Sequence, residues 1–247
     1  MRTATLILFP ALFATVFATT LHAQQYDTVI AGGRVMDPAT NLDAVRHIGI
    51  RGGKIAAVST APLRGRTTID AKGLVVAPGF IDLHSHGQTP ENYRFKARDG
   101  VTTALEMEVG VGRVTEWYGE REGKALVNFG ATSGDLPARM AVMHDTGLLL
   151  PRDEAVKRAA TPDEQRQVLD LLRAGLAKGA LGIGMGIAYC PLETRAEVLA
   201  IFRLAAQLKT PIYVHVRNGG PTEPGVVDAL QEIIADAAAS GASVHVV

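Results

Sequence analysis

Hydrophobic and polar positions divide the chain into three textures. Residues 4–19 form an uncharged apolar run behind Arg2, and Leu21-His22-Ala23 closes it with a small residue. A positive start, a short apolar centre and a small terminal residue predict a secretory signal over residues 1–23, cleaved near Ala23, and hence a secreted or periplasmic protein. The run falls short of the ~20 residues of a membrane span, and Pro10 interrupts it, so an anchor is not expected. Residues 24–73 break into short β-like pieces: Thr28-Val29-Ile30, His47-Ile48-Gly49-Ile50 and Lys54-Ile55-Ala56-Ala57-Val58. Gly32-Gly33, Asp37-Pro38 and Gly52-Gly53 punctuate them, and Arg51-Gly52-Gly53-Lys54 has the composition of a tight hairpin turn. This stretch predicts the N-terminal part of a small β-sandwich.

Residues 74–247 alternate between strand and helix. An apolar run over 74–83 is followed by strand-like pieces at 101–107, 125–129, 180–186, 212–215 and 243–247. Thr161-Pro162-Asp163-Glu164 carries a helix start: a capping Thr, Pro at the first position and Glu to close a capping box. Val168, Leu171, Leu172 and Leu176 then recur at helical spacing until Gly179. Residues 195–208 and 226–239 predict two more helices. The alternation predicts a parallel α/β domain and, with the histidine-bearing strand described below, a (β/α)₈ barrel of TIM type. Such a barrel typically takes ~250 residues, whereas about 170 follow Leu74. The expectation is therefore the first part of a barrel, with roughly six strands. An open barrel leaves strand edges unpaired, so this stretch on its own is expected to be inactive.

Composition narrows the class of partner. Twenty-five basic and 25 acidic residues balance, which speaks against nucleic acid or an anionic membrane surface as the main partner. Cys190 is the only cysteine, so no intrachain disulfide forms.

Candidate chemistry gathers at strand ends. In a strand, side chains alternate faces, so His84 and His86 point the same way while Ser85 points away. Two imidazoles on one face make half of a metal site, and neutral imidazole suits zinc. Asp82, one step deeper, would orient a ligand or fix the strand end. Glu106 and Glu108 share one face of the next strand, where either would supply oxygen to a metal; Glu108 is nearer the expected mouth. A third histidine, His215, ends the apolar strand at 212–215. Arg217 follows it, suited either to a bidentate grip on a substrate carboxylate or to an ion pair at the barrel rim. His144 and Asp145 are expected on a surface loop, Cys190 in the core, and His245 in the barrel interior.

Ala77-Pro78-Gly79-Phe80-Ile81-Asp82-Leu83-His84-Ser85-His86 resembles the first barrel strand of the amidohydrolase superfamily. Gly100-Val101-Thr102-Thr103 resembles the second strand of its N-acyl-D-amino-acid deacylases, or D-aminoacylases. Gly179 to Tyr189 and Tyr213-Val214-His215-Val216-Arg217 are similar to the fourth strand and the zinc-binding histidine segment of the same family. The resemblance implies one or two zinc ions, or another divalent metal, held by His84, His86, Glu106 or Glu108, and His215. It implies Tyr189 and Arg217 at the substrate, and hydrolysis of a linear amide such as an N-acyl-D-amino acid. Val109 stands where D-aminoacylases carry a metal-binding cysteine, and Gly182-Ile183-Gly184-Met185-Gly186 lacks the lysine found in many relatives. Both departures favour a glutamate bridge. The family's sixth-strand histidine ligand and eighth-strand aspartate base fall beyond Val247, so the catalytic base is unassigned. The alternatives are a cyclic-amide hydrolase of the dihydroorotase or hydantoinase kind, and a non-catalytic binding barrel.

Overall fold

The structure, a computed structural model, describes residues 26–218, 220 and 225–247; the expected signal lies outside them. Among the described residues, no helix is long and apolar enough to cross a membrane. The chain divides into two compact units at Pro78/Gly79.

The first unit holds strands β1 (Tyr26–Asp37), β2 (Leu42–Arg51), β3 (Lys54–Ser59), β4 (Gly65–Asp70) and β5 (Val75–Val76). They form one mixed sheet in the order β3-β2-β1-β4, with β5 also beside β1. The β1/β2 and β2/β3 pairs are antiparallel, while β4 and β5 run parallel to β1. The predicted hairpin is present: Arg51 pairs with Lys54, and Gly52 and Gly53 take φ of +57° and +73°. Two successive left-handed residues make the turn that follows the natural twist of paired strands. A single layer of the expected sandwich is built from the described residues.

The second unit begins with β6 (Phe80–Asp82), α1 (Pro90–Arg98), β7 (Val101–Val111), α2 (Val114–Gly119) and β8 (Asn128–Gly134). It continues through α3 (Asp135–Val142), α4 (Glu154–Lys157), α5 (Pro162–Ala177), β9 (Ile183–Gly186), α6 (Arg195–Leu208), β10 (Ile212–His215), α7 (Val226–Ser240) and β11 (Val244–Val246). All six strands are parallel and stand side by side in chain order. Sequential parallel neighbours with intervening helices are the construction of a (β/α) barrel. Ile183, Met185, Ile212 and Val214 face the helices and pack on Val168 and Leu172 of α5, Ile201 and Phe202 of α6, and Ile233 of α7. Alternation then turns Tyr213 and His215 to the opposite, interior face.

Several boundaries differ from the sequence reading. The apolar run 74–83 is not one strand: Val75–Val76 joins the first sheet and Phe80–Asp82 the second. Nor is its end buried. Ile81 is 63% exposed, because β6 is an edge strand paired only with β7. β8 lies at 128–134 rather than 125–129. Its sequence, Asn-Phe-Gly-Ala-Thr-Ser-Gly, has poor strand propensity, but close packing overrides it. A Cβ on Gly134 would stand 2.1 Å from the Val109 carbonyl oxygen. Helices α1 and α3 carry little periodic signal, since α1 buries only Tyr93 and α3 starts without a side-chain cap.

The predicted start of α5 is complete. Glu164 N–H donates to Thr161 Oγ1 at 3.2 Å, and Thr161 N–H donates to Glu164 Oε2 at 2.8 Å. The Arg158 guanidinium, then the Thr161 N–H, hold the Glu164 carboxyl down from 4.5 to about 2. A lowered folded-state value means stability present above 4.5 and lost as pH falls towards 2. Glu164→Gln is therefore expected to lower the denaturation midpoint of the full-length protein at neutral pH and to leave it nearly unchanged in strong acid. An equal loss at both would contradict this account. Leu172→Ala, which empties a fully buried position, should cost about 2–5 kcal/mol in the same measurement.

Candidate metal centre

Three local devices bring the polar side chains together. Asp82 accepts the His84 N–H at 3.1 Å through one oxygen and Lys96 Nζ at 2.5 Å through the other. It thereby fixes the end of β6, the second of the roles expected for it. His84 and His86 lie just past that end, where Ser85 N–H still bonds the Leu105 carbonyl at 3.0 Å. β7 carries a wide bulge: Glu106 pairs with Ala131, yet Val111 pairs with Ser133. Five steps along β7 thus match two along β8, with Gly110 at φ +65° taking up the excess. The bulge carries Glu108 inward to complete burial. His215 arrives at the end of β10 by simple alternation.

Glu108 is the hub. Its Oε2 lies 2.9 Å from His84 Nε2 and 2.9 Å from His86 Nε2, and its Oε1 lies 2.9 Å from His215 Nδ1. The two Nε2 atoms are themselves 3.0 Å apart. Despite these short distances, neither Glu108 oxygen has a hydrogen-bond partner. The contacts have ion-pair distance without hydrogen-bond direction, as expected when several lone pairs aim at a common point. His84, His86 and Glu108 each offer a donor atom within 4.8 Å of the others. Donors bound at zinc's 2.0–2.2 Å in a tetrahedron stand about 3.3 Å apart, so a small expansion of this cluster admits an ion. A buried carboxylate left without donor or cation is costly. The donor set, imidazole nitrogen with carboxylate oxygen, suits zinc and neighbouring divalent transition metals.

Glu106 does not share that point. Its two oxygens lie 3.0 and 2.9 Å from Nδ1 of His86, on the far side of the ring from Glu108. The choice left open between the two glutamates is thus divided by geometry: Glu108 faces the histidine nitrogens and Glu106 backs one of them. Burial works to lower the His86 pKa, but the two glutamates outweigh it and hold the ring above its ordinary value. Burial raises the Glu106 carboxyl.

Tyr189, in a 3-10 turn at Ile187–Tyr189, rests its hydroxyl 3.5 Å from His215 Nδ1. Arg217 is not free to grip a substrate carboxylate in this arrangement. Its Nε and Nη2 donate to Glu232 at 2.9 and 2.8 Å, and its Nη1 donates to the carbonyls of Glu193 and Pro191 at 2.8 and 3.3 Å. It forms a rim ion pair, with Glu232 of α7 as the partner. His245 stacks on Tyr213 with ring centres 4.9 Å apart, and His144 is exposed.

The sequence reading missed a buried ionic group formed by Asp135, Arg139, Glu193 and Glu197. Thr194-x-x-Glu197 was legible as a second capping box, but nothing local announces that Arg139 reaches Glu197 across 58 residues at 2.7 Å.

Comparison with known proteins agrees with this geometry. The Amidohydrolase family model matches residues 67–246, and the chain belongs to that family. A D-aminoacylase of Alcaligenes xylosoxydans xylosoxydans is 29% identical over 239 residues, covering 85% of this chain and 48% of the relative. A dihydroorotase of Streptococcus pneumoniae is 31% identical over 194 residues, covering 78% of this chain and 43% of that protein. The crystal structure of an N-acyl-D-glutamate deacylase from Bordetella bronchiseptica, complexed with zinc and a phosphonate mimic of the tetrahedral intermediate, superposes with a TM-score of 0.77 at 27% identity. The alignment covers 90% of this chain and 51% of that one. The chain spans about half the length of the curated relatives it matches.

Cys190 is fully buried, and burial, with Asp135 and Glu193 nearby, pushes its thiol far up. It is expected to resist thiol-modifying reagents in the folded protein and to react fully once denaturant is added, as mass spectrometry would read. Rapid labelling of the native protein would exclude this packing.

Proposed function

We propose that the chain carries the metal-holding part of a metal-dependent amidohydrolase acting on the linear amide of an N-acyl amino acid, of D configuration by analogy with its relatives. The observation that carries the reading is the divided carboxylate of Glu108, one oxygen facing His84 and His86 and the other facing His215. That arrangement suits a bridge between two neighbouring cation positions, and zinc is the ion proposed. A divalent ion held there supplies Lewis acidity towards an amide carbonyl and lowers the pKa of a water molecule towards ~7.

The chain's own residues do the rest. His84, His86 and His215 would present ring nitrogens to the ion, and Glu108 supplies negative charge that would offset the ion's in a dry setting. Glu106 accepts the Nδ1 proton of His86, which leaves Nε2 free to ligate and fixes the ring plane. Tyr189 places a hydroxyl beside His215, where it would donate to a substrate oxygen. Arg217 holds the loop that carries Tyr189 instead of meeting substrate itself. Export to the periplasm, a small-molecule amide substrate and no nucleic-acid partner complete the proposal.

Hydrolysis of a cyclic amide is the second reading, favoured by the dihydroorotase similarity. Against it stands the absence of lysine from β9.

The full-length protein should retain divalent metal after dialysis and release free amino acid from N-acetyl-D-amino acids faster than from the L forms. Glu108→Ala should lose both metal and turnover. Glu106→Gln should keep the metal but bind it on the order of 10–100-fold more weakly, read by competition with a chromogenic chelator. Turnover of dihydroorotate or hydantoins alone would transfer the assignment to the second reading. Protein without metal or turnover would end the enzymatic one.

A further inference from the structure

Asp135 opens α3 at the end of β8, and Glu193 ends the loop that follows β9. Both are buried. Two other charged groups face them: Arg139, one turn along α3, and Glu197 from the first turn of α6. Those two are committed to each other and to backbone. Arg139 donates to Glu197 Oε1 at 2.7 Å, to the Ala155 carbonyl at 3.1 Å and to the Arg158 carbonyl at 2.8 Å. Glu197 also accepts the N–H groups of Ala160 at 2.8 Å and Thr194 at 2.6 Å. The Cys190 thiol lies near the same pair.

Asp135 and Glu193 are left to one another. Each acts on the other's carboxyl, and Asp135 Oδ2 and both Glu193 oxygens are buried without any donor. Two ionised carboxylates in contact, dry and without donors, repel each other strongly. A single proton held between them removes that repulsion and makes a charge-assisted O–H···O bond. The convergent group of three metal-type donors found among the described residues, His84, His86 and Glu108, does not include this pair. Asp135 sits in the first turn of a helix, where negative charge is favoured, so it is the acceptor and Glu193 the donor.

We propose that Asp135 and Glu193 share one proton, with Glu193 donating to the Asp135 carboxylate, and that this bond is a positioning device that holds the Tyr189 loop against His215. The loop is gripped from both sides. Arg217 takes its backbone at the Glu193 and Pro191 carbonyls, and Asp135 takes its side chain at Glu193. Burial, followed by the Asp135 charge, pushes Glu193 well up, while burial brings Asp135 to about 6. The role given to Tyr189 rests on the proposed function; the shared proton does not.

Infrared difference spectroscopy on the full-length protein tests the proton directly. A protonated-carboxyl C=O band that moves in D2O should be present near neutral pH, vanish in Glu193→Gln and shift, without vanishing, in Asp135→Asn. A folded-state value raised above the unfolded one means stability that falls as pH rises. The wild-type denaturation midpoint should therefore drop relative to Glu193→Gln as pH climbs above 4.5. For positioning, Glu193→Gln keeps a donor towards Asp135 and should leave KM and kcat close to wild type. Glu193→Leu should raise KM on the order of tenfold with a smaller change in kcat. No band lost in Glu193→Gln, or parallel stability curves, would overturn the shared proton. Equal kinetics in Glu193→Gln and Glu193→Leu would overturn the positioning role. If the protein turned over no amide at all, the proposed function would fail while the infrared and stability results still decided the proton.

Discussion

Everything in the second unit is arranged around the cost of burying one carboxylate. Glu108 is wholly inside the protein, and no backbone N–H or neutral donor reaches either oxygen. Such a group persists only if positive charge is brought to it. Three imidazoles come to it from two separate strand ends, and their lone pairs aim at places where a cation, not a hydrogen, fits best. The apolar layer between sheet and helices serves this demand. It holds the strand ends so that the two Glu108 oxygens stand 2.9 Å from three ring nitrogens with no hydrogen bond to either oxygen.

Around that point lies a second set of contacts whose members never face the centre. Asp82 ties down the His84 backbone, Glu106 backs His86, and Arg217 ties the loop after β9 to α7. In each case a charged side chain acts on the orientation of a neighbour. Arg217 and Arg139 divide the work on the outer rim, one at Glu232 and one at Glu197, so that α7 is tied to the segment after β10 and α6 to α3 by largely buried ion pairs. Buried pairs of this sort add little net stability, but removing one partner strands the other. They specify one arrangement of the loops.

Much of this was legible where the signal was local. His84, His86 and His215 follow from alternation along short strands, and the helices at 162–177, 195–208 and 226–240 follow from apolar spacing, the first with its capping box besides. The reading failed where geometry depends on distant residues. β8 was placed too early because its glycines argue against a strand until the close approach of β7 is known. Glu106 and Glu108 looked equivalent because strict alternation puts them on one face. What separates them is a bulge whose existence is set by the pairing with β8. Arg217 suits two roles in the sequence, and its pairing with Glu232 depends on the position of a later helix.

The bulge has a further meaning. Between Glu106 and Val111 the backbone of β7 carries three residues more than β8 can match. The identity of the inward carboxylate is therefore a matter of counting along the backbone as much as of side-chain chemistry. Deleting Met107, Val109 or Gly110 would leave both glutamates in the sequence, yet would change which of them enters the dry interior. Substitutions at these positions alter a ligand; insertions and deletions would rewire the site.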